Sequence, residues 1–259
     1  MAQIDQHAPG SFCWIELATS DQNAAKQFYG SLFGWKANDF PMGPGEFYTM
    51  FQLEGRDAAA AYTLNAQMRQ QGVPPHWMPY IATASADESA GKAAQFGGKV
   101  VAGPFDVMDF GRMAVIQDPT GAHFSAWEPK SHKGTRITGV PGTMCWAELS
   151  TPDQAAVTPF YQGVFGWDFP PGQQGFLHIK NGEDFIGGIA PVAHRNPHVP
   201  PHWMTYFLVA DCDASAATAK ETGATIHMGP MTFEKIGRMA VLADPQGAGF
   251  SLYQPLPRE

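Results

Sequence analysis

Phe28-Tyr29-Gly30-Ser31-Leu32-Phe33-Gly34-Trp35 returns 132 residues later as Phe160-Tyr161-Gln162-Gly163-Val164-Phe165-Gly166-Trp167. Upstream, Trp14-Ile15-Glu16-Leu17 returns at the same offset as Trp146-Ala147-Glu148-Leu149. Downstream the offset falls to 126. Val73-Pro74-Pro75-His76-Trp77-Met78 returns as Val199-Pro200-Pro201-His202-Trp203-Met204, Gly111-Arg112-Met113-Ala114-Val115 as Gly237-Arg238-Met239-Ala240-Val241, and Asp118-Pro119 as Asp244-Pro245. The first copy therefore carries six extra residues between Trp35 and Val73. Two copies this long read as duplicated domains, since solenoid repeats are shorter and more numerous. The expected boundaries are residues 10–129 and 141–256, with 130–140 as linker.

Each copy contains the order β-α-β-β-β twice. Phe12 to Leu17 alternates as a strand and ends at Thr19-Ser20-Asp21, residue types that cap helix N-termini. A helix follows, and Gly34 suits its C-terminal stop. In the second copy Pro159 falls inside that helix, where an interior proline costs about 3 kcal/mol, so a kink or early break is expected. Strands are expected at Glu46 to Leu53, Ala59 to Leu64, Trp77 to Ala82, Lys99 to Val101, Arg112 to Asp118 and Ala122 to Trp127, with a helix from Asp87 to Phe96. The second copy matches, with Thr225 to His227 as its short strand. The fold class is thus α+β, four βαβββ modules. A small sheet with helices on one face leaves the other face to line a cavity, so open, cupped barrels are expected.

Four such modules, with F-Y-x-x-x-F-G-W after the first helix and D-P-x-G before the last strand, resemble the vicinal oxygen chelate superfamily. That family includes glyoxalases, bleomycin-resistance proteins and extradiol dioxygenases. The resemblance covers about Gly10 to Pro255 and implies two tandem glyoxalase-like domains. It also implies metal-ligand positions, which fall on Trp14 and Trp146, near Pro79 and Thr205, within Ala59 to Ala61 and Gly187 to Ile189, and on Ser125 and Ser251. None of these is the imidazole or carboxylate that a divalent cation requires. No cofactor is therefore expected. A divalent metal at a displaced site is the alternative.

Alternation places Phe12, Trp14 and Glu16 on the cavity face of the first strand, and Trp146 and Glu148 likewise. A carboxylate among aromatic rings has a raised pKa and can serve as a general base or hold a ligand; the structural alternative is a backbone hydrogen bond or a pair with Arg112 or Arg238. Those arginines could instead clasp an anionic ligand or lock the repeat interface. His76 and His202 read as ligand or displaced-metal contacts, or as residues tying down a loop. Trp77, Trp127, Trp203 and Tyr253 are expected on the pocket walls. His123 and His178 read as structural or surface residues.

Net charge is −8, with 16 Lys and Arg against 24 Asp and Glu. That disfavours nucleic acid and anionic membranes as partners. No apolar stretch matches a membrane span. Met1 to Pro9 lacks a basic-then-apolar secretory pattern. Cys13, Cys145 and Cys212 form no paired motif, so buried thiols in a reducing compartment are expected. These features imply a cytoplasmic protein with a small-molecule ligand and two pseudo-symmetric pockets, as a monomer with an internal pseudo-dimer or a loose homodimer. The leading reading is a metal-independent binding protein. The alternative is a lyase, isomerase or dioxygenase-type enzyme using Glu16 or Glu148.

Overall fold

The computed structural model describes residues 2–256. A two-residue β1 (Ala2–Gln3) precedes the first copy. That copy runs β2 (Phe12–Thr19), α1 (Gln22–Phe33), β3 (Lys36–Gly43), β4 (Glu46–Leu53), β5 (Arg56–Thr63) and a short α2 (Ala66–Gln70). It continues with β6 (His76–Ala82), α3 (Ala86–Gln95), β7 (Lys99–Val107), β8 (Gly111–Gln117) and β9 (His123–Pro129). The stretch expected as linker contains β10 (Ile137–Thr138), which pairs with β1. The second copy follows as β11 (Met144–Ser150), α4 (Gln154–Phe165), β12 (Leu177–Asn181) and β13 (Asp184–Ile189), then β14 (His202–Leu208), α5 (Cys212–Glu221), β15 (Thr225–Phe233), β16 (Gly237–Ala243) and β17 (Gly249–Pro255).

Local chemistry sets the helix ends. The Asp21 carboxylate accepts from the Ala24 N–H at 2.9 Å, and Gly34 closes α1 at φ +71°. Asp153 and Gly166 repeat both devices on α4. A side-chain acceptor satisfies an orphan N–H, and glycine enters the left-handed region without steric cost. Contrary to the expected break, α4 runs through Pro159 to Phe165. Val157, Phe160, Tyr161 and Val164 are buried on that helix. Their packing outweighs one lost ladder bond, since tertiary burial supplies most of a helix's stability.

Both modules of a copy join one sheet, because β2 pairs antiparallel with β6 and β11 with β14. The first sheet has eight strands in the order β3-β4-β5-β2-β6-β9-β8-β7. The second has seven, β12-β13-β11-β14-β17-β16-β15. Strands β7 and β15 are longer than expected, since they continue through Pro104 and Pro230. Both lie at a sheet edge, where a missing N–H costs no ladder bond. The exposed edge strand β3 carries almost no buried side chain, so it lacks the apolar alternation that announces a strand.

The four long helices lie between the copies, with α1 against α5 and α3 against α4. One buried cluster joins Phe28, Tyr29, Phe33 and Trp35 of the first copy to Phe207 and Phe250 of the second. Its counterpart joins Ile116 and Phe124 to Phe160, Tyr161 and Trp167. The duplicated motifs meet here. Tyr29 Oη donates to Asp244 at 3.0 Å and accepts from Trp77 Nε1 at 3.0 Å. Tyr161 does the same between Asp118 and Trp203. Trp35 Nε1 donates to the Gly142 carbonyl, and Trp167 Nε1 to that of Gly10.

On the face away from the helices, residues of β2 and β4 through β9 share one buried cluster. A flat eight-stranded sheet would hold its outer strands far apart, so the sheet is curled into a cup. Among the described residues no helix is long and apolar enough to cross a membrane.

Candidate functional site

The first cup is built around Glu16. Its Oε2 accepts a 2.7 Å hydrogen bond from Tyr80 on β6. Tyr48 on β4 also approaches the carboxylate, and its hydroxyl accepts from Trp14 Nε1 at 3.3 Å. Tyr62, Met50, Met78, Met113, Ser125 and Trp127 complete the wall by alternation along their strands. Glu16 lies deep among the protein's atoms yet keeps some accessible surface, as a group lining a recess does. Burial raises its pKa, against the opposing pull of the Tyr80 and Tyr48 hydroxyls. Burial and the Glu16 charge together drive the Tyr80 and Tyr48 phenols well above their ordinary range. The phenols therefore stay in their neutral, hydrogen-bonding forms.

The second cup keeps the frame and changes the lining. Trp146, Glu148, Met204, Tyr206, Ser251 and Tyr253 occupy the positions of Trp14, Glu16, Met78, Tyr80, Ser125 and Trp127. The β12–β13 register puts His178 where the first copy has Met50, and Phe176 where it has Tyr48. The Phe176 ring lies over Gly188, whose missing Cβ leaves it room. Burial pushes Glu148 up to about 7, with the Tyr206 hydroxyl opposing. The Tyr206 phenol is the one side chain that opposes this burial.

Above the first cup, the segment between β9 and β10 folds inward. The His132 carbonyl accepts from Trp127 Nε1 at 3.1 Å, and its ring packs edge-on to Trp14 at 4.7 Å. Trp14 and Trp127 are consequently 3% and 5% exposed, whereas Trp146 and Tyr253 keep more accessible surface.

Several expected placements are overturned. Trp77 and Trp203 face the helices, bonded to Tyr29 and Tyr161, and line no cup. Pro79 and Thr205 share that helix-side face, so Met78 with Tyr80, and Met204 with Tyr206, are the cup-facing residues. Phe12 packs on Trp167 and Trp203. A bulge at Cys13 breaks the alternation that would have turned it into the cup. Arg112 and Arg238 also stand on the helix side, with Ala114 and Ala240. Each forms a two-pronged ion pair to the first turn of its own module's helix, with Asp87 and Asp213. They neither reach a cup nor bridge the copies. His76 and His202 each donate Nδ1–H to a proline carbonyl two residues back, Pro74 and Pro200, at 2.8 Å. His178, expected as structural, faces the second cup.

Tyr48, Tyr62, Tyr80, Tyr206 and His132 escaped the sequence reading. Tyr80 and Tyr206 occupy equivalent places in the repeat, a signal that was present; Tyr48 and Tyr62 have no tyrosine counterpart, and His132 lies outside the repeat. Among the described residues no three His, Cys, Asp or Glu side chains gather as a metal-holding group. The first cup presents Glu16 as its one carboxylate and the second presents Glu148 with the His178 imidazole, flanked by Trp, Tyr, Met and Ser, and none of these acidic or imidazole groups stands at a strand position where family members carry ligands. That donor set does not fit a divalent ion.

The model of the Glyoxalase/Bleomycin resistance protein/Dioxygenase superfamily matches residues 11–126 and again 143–252. A protein of Mycobacterium tuberculosis named "Putative glyoxylase CFP32" is 38% identical over the full length of both chains. The anthracycline biosynthesis protein DnrV of Streptomyces peucetius is 35% identical, covering 97% of this chain and 95% of its own. Among solved structures, the Mn(II)-bound glyoxalase from Novosphingobium aromaticivorans superposes with a TM-score of 0.67 at 15% identity, over 96% of this chain and 83% of that one. The 2,3-dioxygenase LapB from a Pseudomonas species gives 0.65 at 11%, over 95% and 93%.

Proposed function

Since the chain belongs to the glyoxalase/bleomycin resistance protein/dioxygenase superfamily, we propose that its cups bind a planar, carbonyl- or phenol-bearing small molecule without the help of a metal ion. The observation that carries this reading is the Glu16 carboxyl, hydrogen-bonded to Tyr80 and enclosed by Trp14, Tyr48 and Trp127. Aromatic walls favour a flat ligand through stacking and area burial. Neutral phenols can donate to a carbonyl or accept from a hydroxyl, and the carboxyl group accepts from a hydroxyl. The name of the Streptomyces relative supports the same class, because anthracyclines are flat polycyclic quinones.

The test is a fluorescence titration of chelator-treated protein with a hydroxyanthraquinone. Saturable quenching of tryptophan emission is expected, weakened at least tenfold by Glu16→Gln together with Glu148→Gln. Binding that appears only after a stoichiometric divalent metal is restored would overturn the proposal, as would no saturable quenching at all.

The pKa of Glu148 favours a second reading. A carboxylate that titrates near 7 inside an apolar recess is matched to proton transfer at physiological pH. In that reading Glu148 takes a proton from a carbon or oxygen acid held in the second cup. Loss of turnover in Glu148→Gln with ligand affinity retained would support it.

A further inference from the structure

The segment between the copies is pinned along both margins. Lys130 N and His132 N donate to the Phe110 carbonyl, and Ser131 donates to that of Asp109 through both N and Oγ. Farther on, Thr135 N donates to Cys13 O and Arg136 N to Asp57 O, each at 2.8 Å. Gly134 sits at φ +98°, where an added Cβ would stand 2.3 Å from the Cys13 carbonyl. A cavity of about 340 Å³ remains between this segment and the β4–β5 turn.

The charge of its lining is opposite to that of the chain. Arg56, Lys133 and Arg136 face Asp57 as the one lining carboxylate. Three of the chain's 16 cationic side chains therefore gather in a protein of net charge −8. Among the described residues Lys133 forms no ion pair, while Arg136 shares an exposed one with Asp5. His132 lines the same cavity, and its Nε2 is buried without a hydrogen-bond partner. A buried polar atom left unpaired is costly, so native structures seldom keep one without a use.

We propose that this cavity binds an oxyanion, the phosphate or carboxylate end of a small molecule, through Lys133, Arg136 and His132. Guanidinium and ammonium groups supply charge-assisted donors, and the imidazole supplies a third in its Nε2–H form. Burial and Arg136 lower the His132 pKa, His7 adds to that, and Asp57 opposes it. A bound anion pulls the same way as Asp57. Because the His132 ring packs on Trp14 and Trp127, the two indoles report on occupancy.

The experiment follows the His132 ring and tryptophan indole NMR resonances of the full chain. Inorganic phosphate and malonate are added separately, with ionic strength held by sodium chloride. Saturable shifts are expected, with affinity reduced at least fivefold by Lys133→Glu and by Lys133→Ala with Arg136→Ala. Unchanged indole dispersion shows that each variant is folded. Tighter phosphate binding assigns a phosphate ester, tighter malonate binding a carboxylate, and either supports the proposal. Non-saturating shifts equal to those from chloride, or variants that bind like the unmodified protein, overturn it. The probes are inorganic phosphate and malonate rather than an aromatic cup ligand, so the outcome is independent of the function proposed for the cups.

Discussion

Glu148→Gln is expected to leave stability nearly unchanged at pH 4 and to raise it by about 2–3 kcal/mol at pH 8. Burial lifts the folded-state pKa of Glu148 from 4.5 to about 7. The folded chain therefore binds this proton more tightly than the unfolded chain does. Below pH 4.5 the group is protonated in both states and costs nothing. Between 4.5 and 7 the unfolded carboxyl ionises freely while the folded one resists, so stability falls as pH rises. Above 7 both are ionised and the full cost is in place. At 1.36 kcal/mol per unit the shift corresponds to about 3.4 kcal/mol, and the accessible surface Glu148 retains trims this toward 2. Gln keeps the size and an acceptor for Tyr206 but cannot ionise. Urea denaturation at pH 4, 5.5 and 8 measures the difference, since all other titrating groups are common to both proteins. A variant advantage that does not grow with pH, or a variant less stable at pH 8, would refute the reasoning.

Tyr29→Phe removes the hydroxyl that joins Trp77 to Asp244, stranding one buried donor and one buried acceptor. A loss of about 3 kcal/mol in urea unfolding is expected, with a similar loss for Tyr161→Phe in the other cluster; a change under 0.5 kcal/mol would show that the copies dock without this network. Gly134→Ala forces a methyl against the Cys13 carbonyl and strains a positive φ, so the segment must lift from Cys13. Faster oxidation of Trp14 and Trp127 by N-bromosuccinimide, mapped by peptide mass spectrometry, is the expected sign, with Trp146 unaffected.

Repeats, caps and strand alternation make the architecture legible in the sequence itself. Asp21 with Gly34, and Asp153 with Gly166, mark helix ends because capping is local chemistry. The same locality misled at Pro159, which looked like a breaker until buried packing on α4 absorbed the missing N–H. Glu16, Glu148, Trp14 and Trp146 were placed on the cup face because alternation within one strand needs no partner. At Phe12 one bulged residue reversed that inference.

What the chain alone determined is the set of modules and the identity of the groups available to each cup, since both depend on residues near one another in sequence. Which groups meet was decided by the tertiary structure. Tyr80 reaches Glu16 because β6 pairs beside β2, Tyr48 reaches it from two strands away because the sheet curls, and His132 covers Trp14 only because the segment between the copies folds back. Tyr29 finds Asp244, 215 residues away, only when the copies dock. The physical reason is that register, curvature and docking are fixed by burial summed over the whole core, a quantity no short window of sequence contains.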